Sequence, residues 1–153
     1  MPIPQIQRIL LPIDSSPGTE AAVDYAVVLA RALGASITVA HVDEMPNAMV
    51  AIVPGASVEA DLAIERRASK QRLAAIVGEF AARGFANVDT LALTSTSIAA
   101  ALVEAARARP YDLIVMGTHA RTGVTRWLLG SIAEEVLRHA TCPVLTVHLP
   151  AGM

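Results

Sequence analysis

YDLIVMG, residues 111–117, is the strongest strand signal in the chain: a short apolar run with β-branched residues at its centre, closed by a glycine. A polar stretch rich in Gly, Thr and Arg follows it and ends at Gly130-Ser131, where a helix opens and runs to about His139. Residues 143–148 (PVLTVH) then read as a last strand. Upstream, residues 98–107 have helical spacing, with a cap among Ser95, Thr96 and Ser97 and a stop before Pro110; residues 88–93 read as a strand.

The same alternation holds in the first half. RILLPI, residues 8–13, is a buried strand by pattern, and Asp14-Ser15-Ser16-Pro17 opens a helix, with Ser16 as N-cap and Pro17 at the first helical position. That helix reaches about Leu33, with Ala22, Tyr25, Ala26, Leu29 and Leu33 on its apolar side and Gly34 as its stop. SITVAHV, residues 36–42, is the second strand. Residues 43–57 hold Pro46, Pro54 and Gly55 and read as a loop long enough to be functional. Residues 58–83 are helical, with Leu62, Leu73, Ile76, Val77 and Phe80 turned inward, Glu65, Arg66, Arg67, Lys70 and Arg72 solvated, and Gly84 at the end. Strands alternating with helices in this way predict one α/β domain: a five-stranded parallel sheet with right-handed crossovers and helices on both faces.

Composition fits this reading and removes other classes. The 153 residues are 54% hydrophobic but only 3% aromatic, with Ala, Val, Leu and Ile supplying the bulk, as expected when small-residue helices bury both faces of a parallel sheet. So apolar a chain with a net charge of −2 is not disordered. The longest stretch free of Asp, Glu, Lys and Arg, residues 139–153, contains Pro143 and Pro150 and is too short to span a membrane. The first residues lack a signal-peptide pattern, so a cytoplasmic protein is expected. Cys142 is the single cysteine, and no Cys/His spacing suits a metal. A slightly acidic balance and five aromatic side chains give no reason to expect a nucleic-acid partner.

In an open doubly wound sheet, ligands bind beyond the carboxyl ends of the strands where the strand order reverses. If the strand order is 3-2-1-4-5, that point lies between the first and fourth strands, whose ends present Pro12, Ile13 and Asp14 and Met116, Gly117 and Thr118. The glycine-containing stretch 117–123 and the helix opening at Gly130-Ser131 have what a polyphosphate needs: close backbone approach, unpaired amides, a positive dipole end and a hydroxyl. A plainer reading has Gly117 and Gly130 only turning the chain. Neither a Walker A loop nor GxGxxG is present.

The spacing G-2x-A-9x-G-S over Gly117, Ala120, Gly130 and Ser131, the DLIVMG before it, the CPVLTV after it and the opening RILLPIDSS resemble the universal stress protein family over nearly the whole chain. That resemblance implies the order 3-2-1-4-5 in a Rossmann-like, adenine nucleotide alpha hydrolase-like fold, frequent homodimers and, in one subgroup, ATP binding through GxxG, nine residues and Gly-Ser. By position it implies that Asp14 and the backbone near Val42 face adenine, with Pro12 and Ile13 nearby. Gly117, Gly130 and Ser131 would hold ribose and phosphates, beside Met116, with Ile132 and Ala133 donating backbone amides. Mg²⁺ or Mn²⁺ would enter on the phosphates. One position departs from the pattern: Ala120 replaces the second glycine, and if φ there is positive, its Cβ costs about 1–2 kcal/mol, or about tenfold in affinity. Gly123, three residues on, offers the loop another glycine.

Three functions stay open on these residues: an ATP-binding homodimeric regulator of the stress response read by an unknown protein partner, a family member acting through protein contacts without ATP, and a slow ATPase. No nucleophile–base pair, catalytic Lys or water-positioning Gln stands out, so hydrolysis is slow at most. Asp14 also suits a helix cap. His119 and Arg121 either touch phosphate or are solvated. His41 is expected to be packed or hydrogen-bonded within its strand, and His139 and His148 to lie on the surface. Trp127, the only tryptophan, packs the loop and would report on nucleotide by fluorescence. The strand from Pro143 to His148 falls at a sheet edge and is the expected homodimer contact unless the tail 149–153 covers it.

Overall fold

The computed structural model describes residues 1–14, 16, 18–45, 58–118 and 129–148. Along them run β1 (Arg8–Pro12), α1 (Gly18–Leu33), β2 (Ser36–Glu44), α2 (Val58–Ala82), β3 (Val88–Ser95), α3 (Ile98–Ala108), β4 (Leu113–Gly117), α4 (Ser131–His139) and β5 (Val144–Val147). The strands form one sheet of order β3-β2-β1-β4-β5, and every neighbouring pair is parallel. The order reverses between β1 and β4, as the sequence predicts.

Residue alternation in β1 feeds two cores. Ile9 and Leu11 join Ala22, Val23, Ala26, Val27 and Ala30 of α1 and Leu73 and Phe80 of α2. Leu10 turns the other way and joins Ala99, Leu102 and Ala106 of α3 with Ala133 and Val136 of α4. All three strand residues are fully buried. Alanine-rich faces let the helices lie close to the sheet, which is why so few aromatic residues are needed. The phenylalanines Phe80 and Phe85 meet each other, ring centroids 6.1 Å apart, where α2 turns toward β3.

Several sequence boundaries shift for identifiable reasons. The buried stripe of α1 is the small-residue one, and Tyr25 and Leu33, expected inside, are exposed. Val77 of α2 is exposed as well. β2 continues to Glu44 because its register with β3 continues through Asp43↔Thr94 and Glu44↔Ser95, so the expected loop gives up its first two residues; 46–57 lie outside the described residues. β4 begins at Leu113 rather than Tyr111, since Asp112 is occupied at the other end of β1: its carboxylate accepts the amides of Gln7 and Arg8, both at 2.9 Å. Ser97 is the residue that caps α3, accepting the Ala100 amide. Gly34 and Gly84 adopt φ of 67° and 70°, the left-handed conformation that stops α1 and α2. Among the described residues no helix is long and apolar enough to cross a membrane.

The start of α1 is pressed against the end of β4. A Cβ on Gly117 would lie 2.5 Å from the carbonyl oxygen of Gly18, and one on Gly18 would lie 3.2 Å from the carbonyl oxygen of Thr118. Two glycines thus let backbone meet backbone. Gly117→Ala is expected to lower stability by about 1–3 kcal/mol, as overpacking does. Urea denaturation checks it: the midpoint should fall with an unchanged slope.

Candidate functional site

The carboxyl ends of β1 and β4 lie side by side at the sheet centre. Past β1, the Ile13 amide still donates to the Ala40 carbonyl at 2.8 Å, and the chain then turns through Asp14 into α1. One Asp14 carboxylate oxygen accepts the Ser16 amide at 2.9 Å, the Ser16 hydroxyl at 2.5 Å and the Thr19 hydroxyl at 2.9 Å. The Thr19 hydroxyl also accepts the Asp14 amide at 3.2 Å. Ser16 therefore does not act as a hydroxyl cap. Asp14 organises the turn instead, its side chain exposed at the crevice with its position fixed. Pro17 lies outside the described residues.

Past β4, Thr118 is almost fully buried. Its amide donates to the Val147 carbonyl at 3.0 Å, and its hydroxyl lies 2.6 Å from Nδ1 of His148, tying the end of β4 to the end of β5. His148 is exposed, as expected, but hydrogen-bonded. Gly130 is the N-cap of α4, with φ −60° and ψ 152° and no side-chain cap. The first turn closes when the Glu134 amide donates to the Gly130 carbonyl at 2.9 Å. The amides of Ser131, Ile132 and Ala133 precede that bond and are the donors a helix N-terminus leaves without an intrahelical acceptor.

The predicted residues separate by face. Val42, Met116 and Ala133 belong to one buried cluster, with Ile132 packed against it, on the α3/α4 side. Ile13 is buried on the α1/α2 side, and Pro12 is half-buried in β1 opposite Ala40. The side chains of Ile13 and Val42 thus lie on opposite faces of the sheet. Ser131 is exposed at the first position of α4. Ala120, with His119, Arg121, Gly123 and Trp127, lies outside the described residues, as does the tail 149–153.

His41 is packed and hydrogen-bonded, as expected, but within a constellation whose other members were not foreseen. Between β2 and α2, Ser69 is fully buried, and His41 and Asp43 nearly so. The Ser69 hydroxyl donates to Asp43 Oδ1 and lies 3.4 Å from His41 Nδ1, while His41 Nδ1 is 3.5 Å from Asp43 Oδ1. On the other side of the ring, Arg72 donates to His41 Nε2 at 3.2 Å. Arginine has no acceptor, so Nε2 must carry the lone pair and the network assigns the proton to Nδ1. Burial pushes the His41 pKa below 6.5; Arg72 pushes the same way, against the pull of Asp43, Asp14 and Glu65. Serine, histidine and aspartate here do not make a hydrolytic triad, because Ser69 and Asp43 share one ring nitrogen and Ser69 is sealed from solvent. The sequence signal was available: His41 and Asp43 alternate onto one strand face, and Ser69 lies one helical turn before Leu73 on the inward face.

Against known proteins, the profile of the Universal stress protein family matches residues 5–148. Universal stress protein A homolog 1 of Coxiella burnetii is 30% identical over 141 residues, covering 92% of this chain and 95% of that protein. A universal stress protein of Methanocaldococcus jannaschii is 55% identical over a shorter stretch of 49 residues, 32% of this chain and 29% of its own length. A solved universal stress protein in complex with cAMP matches with a TM-score of 0.60 and 26% identity, over 95% of this chain and 98% of that one. A profile spanning most of the sequence, a relative similar from end to end and a common fold all agree: the chain belongs to the universal stress protein family.

Proposed function

We propose that this protein binds ATP in the crevice between β1 and β4, with Mg²⁺ or Mn²⁺ carried by the phosphates, and acts in the cytoplasm as a homodimeric regulator whose occupancy is read by a partner protein in the stress response. The observation that carries the reading is Gly130. Its φ of −60° is open to any residue, and a Cβ there would meet nothing within 4 Å among the described residues. Among the described residues neither conformation nor packing asks for glycine at that position, whereas a ligand drawn close to the α4 amides would. Those amides and the helix dipole suit an anion. Asp14, pinned by Ser16 and Thr19, is a preorganised acceptor for the exocyclic amine of adenine. The base would lie across the strand ends, since Ile13 and Val42 point to opposite faces. Gly117 needs no ligand to explain it, because Gly18 already excludes a side chain there. The relative solved with cAMP supports an adenine nucleotide as the ligand class.

Calorimetry with Mg-ATP tests this, together with mass spectrometry of the denatured protein for retained nucleotide. Gly130→Ala should weaken binding by about tenfold, the effect of about 1.4 kcal/mol, while costing the fold at most about 1 kcal/mol as a poorer cap. Ala120→Gly should strengthen binding by about tenfold, and nucleotide should change Trp127 fluorescence. No retained nucleotide, with no thermal shift in millimolar Mg-ATP, would favour the second reading, a member acting through protein contacts alone, for which Ala120 is the specific observation.

The homodimer in this proposal uses β5. The Ile114 amide donates to the Pro143 carbonyl and the Thr118 amide to the Val147 carbonyl, so alternate residues face β4 and Thr146 turns its amide toward the open edge. Leu145 is exposed beside it. Thr146→Pro removes the outward donor while sparing the inner ladder; light scattering should report a monomer, and a folded variant that remains dimeric would refute this interface.

A further inference from the structure

The buried cluster of His41, Asp43, Ser69 and Arg72 lies outside the proposed nucleotide contacts, and its geometry is that of a device sensitive to one proton. Residues 59–68 of α2 contain no buried side chain. From Glu59 onward, Ser69 is the first described residue of the helix to be sealed against the sheet, followed by Leu73 and Phe80. The N-terminal half of α2 is therefore held down by Ser69 bonded to Asp43 and by Arg72 bonded to His41. With His41 neutral, the contacts around the ring are complementary: Arg72 gives a proton to Nε2, Nδ1 faces Ser69 and Asp43, and the Ser69 hydroxyl donates to Asp43. A second ring proton can go only to Nε2, directly in front of the guanidinium. Two donors and two positive charges would then face each other at a distance suited to one hydrogen bond.

We propose that this cluster is a proton-operated latch, in which protonation of His41 at Nε2 expels Arg72 and releases the N-terminal half of α2 from β2. The charges acting on the ring are Asp43 beside it on β2, Arg72 and Glu65 from α2, and Asp14 from the turn after β1. The three carboxylates favour protonation, while burial and Arg72 oppose it. The closed latch holds its histidine less basic than in an opened chain, so opening takes up a proton and is favoured as pH falls through about 6.5, the ordinary value. The inference does not rest on nucleotide binding and survives if that reading fails.

Hydrogen exchange of the full chain, corrected for intrinsic rates, reads the latch directly. Between pH 7.5 and 5.5 the protection of residues 59–68 should fall by about three- to tenfold, the range one histidine can supply over that interval, while protection in α3 stays level. His41→Gln removes the titrating ring, and Arg72→Gln replaces the repelled cation with an amide that can turn its oxygen to Nε2–H. His41→Gln should lose the pH step while α2 stays docked, and Arg72→Gln should make it smaller, since burial alone still opposes the ring's charge. The proposal is overturned by a wild-type protein with no step, by a step that persists in His41→Gln, or by one undiminished in Arg72→Gln. If the His41 variant does not fold, Arg72→Gln and NMR titration of the His41 ring decide: a ring that titrates with no accompanying loss of α2 protection refutes the latch.

Discussion

The backbone contact between Gly18 and Gly117 is the constraint on which the crevice depends. A sheet built from apolar strands can place a helix at many heights above it. Here the absence of both side chains lets the first turn of α1 sit directly against the last residue of β4, so that the turn at Asp14 opens beside the end of β4 rather than above it. The hydrogen bonds from Ser16 and Thr19 to Asp14 hold that turn in shape, and those from Thr118 to Val147 and His148 hold the other lip. The site geometry thus follows from close packing first and from polar contacts second.

The shortage of aromatic side chains belongs to the same physics. Ala22, Ala26 and Ala30 on α1 and Ala99 and Ala106 on α3 are the surfaces applied to the two faces of the sheet. Larger residues at these positions would lift the helices, and on α1 they would separate Gly18 from Gly117. Burial by small and branched aliphatic residues gives less transfer energy per side chain than burial by aromatics, but the loss is offset by close packing over many contacts.

Much of the fold was legible because the signals were local. Strand runs such as LLP and LIVM, the glycine stops at Gly34 and Gly84 and the cap at Ser97 each declare themselves within a few residues, and the alternation then leaves few topologies. Tyr25 and Leu33 were misplaced because a helical period fits two faces of α1, and only the tightness of the contact with the sheet, a tertiary fact, selects the alanine face. Asp112 was missed as the partner of Gln7 and Arg8 because more than a hundred residues separate them. At the candidate site, the converging loop ends could be foreseen from strand order. The partnership of Gly18 with Gly117 could not, since a glycine at a helix start has an ordinary local explanation, and the pairing of Ser69 with Asp43 required knowing which turn of α2 first reaches the sheet.

A core made largely of Ala, Val, Leu and Ile has a weakness that the polar contacts address. Such side chains are nearly interchangeable, so an apolar interface penalises a slipped strand or a rotated helix only modestly, whereas a buried hydrogen bond left unmade costs about 1–3 kcal/mol. Asp112 receives two amides from the exposed start of β1 and ties β1 to the entry to β4, a weaker constraint, since water can replace a lost partner there. Ser69, His41 and Asp43 hold α2 on β2 more strongly, because turning the helix by one residue (about 100°) would leave the buried Asp43 carboxylate without the Ser69 hydroxyl. Both anchors sit where an element first meets the sheet, so each fixes the register of everything after it. The His41 cluster differs from the Asp112 clamp in one respect: its central member can take up a proton as pH falls below its ordinary value of 6.5, so in the proposed latch the feature that specifies the docking of α2 also undoes it.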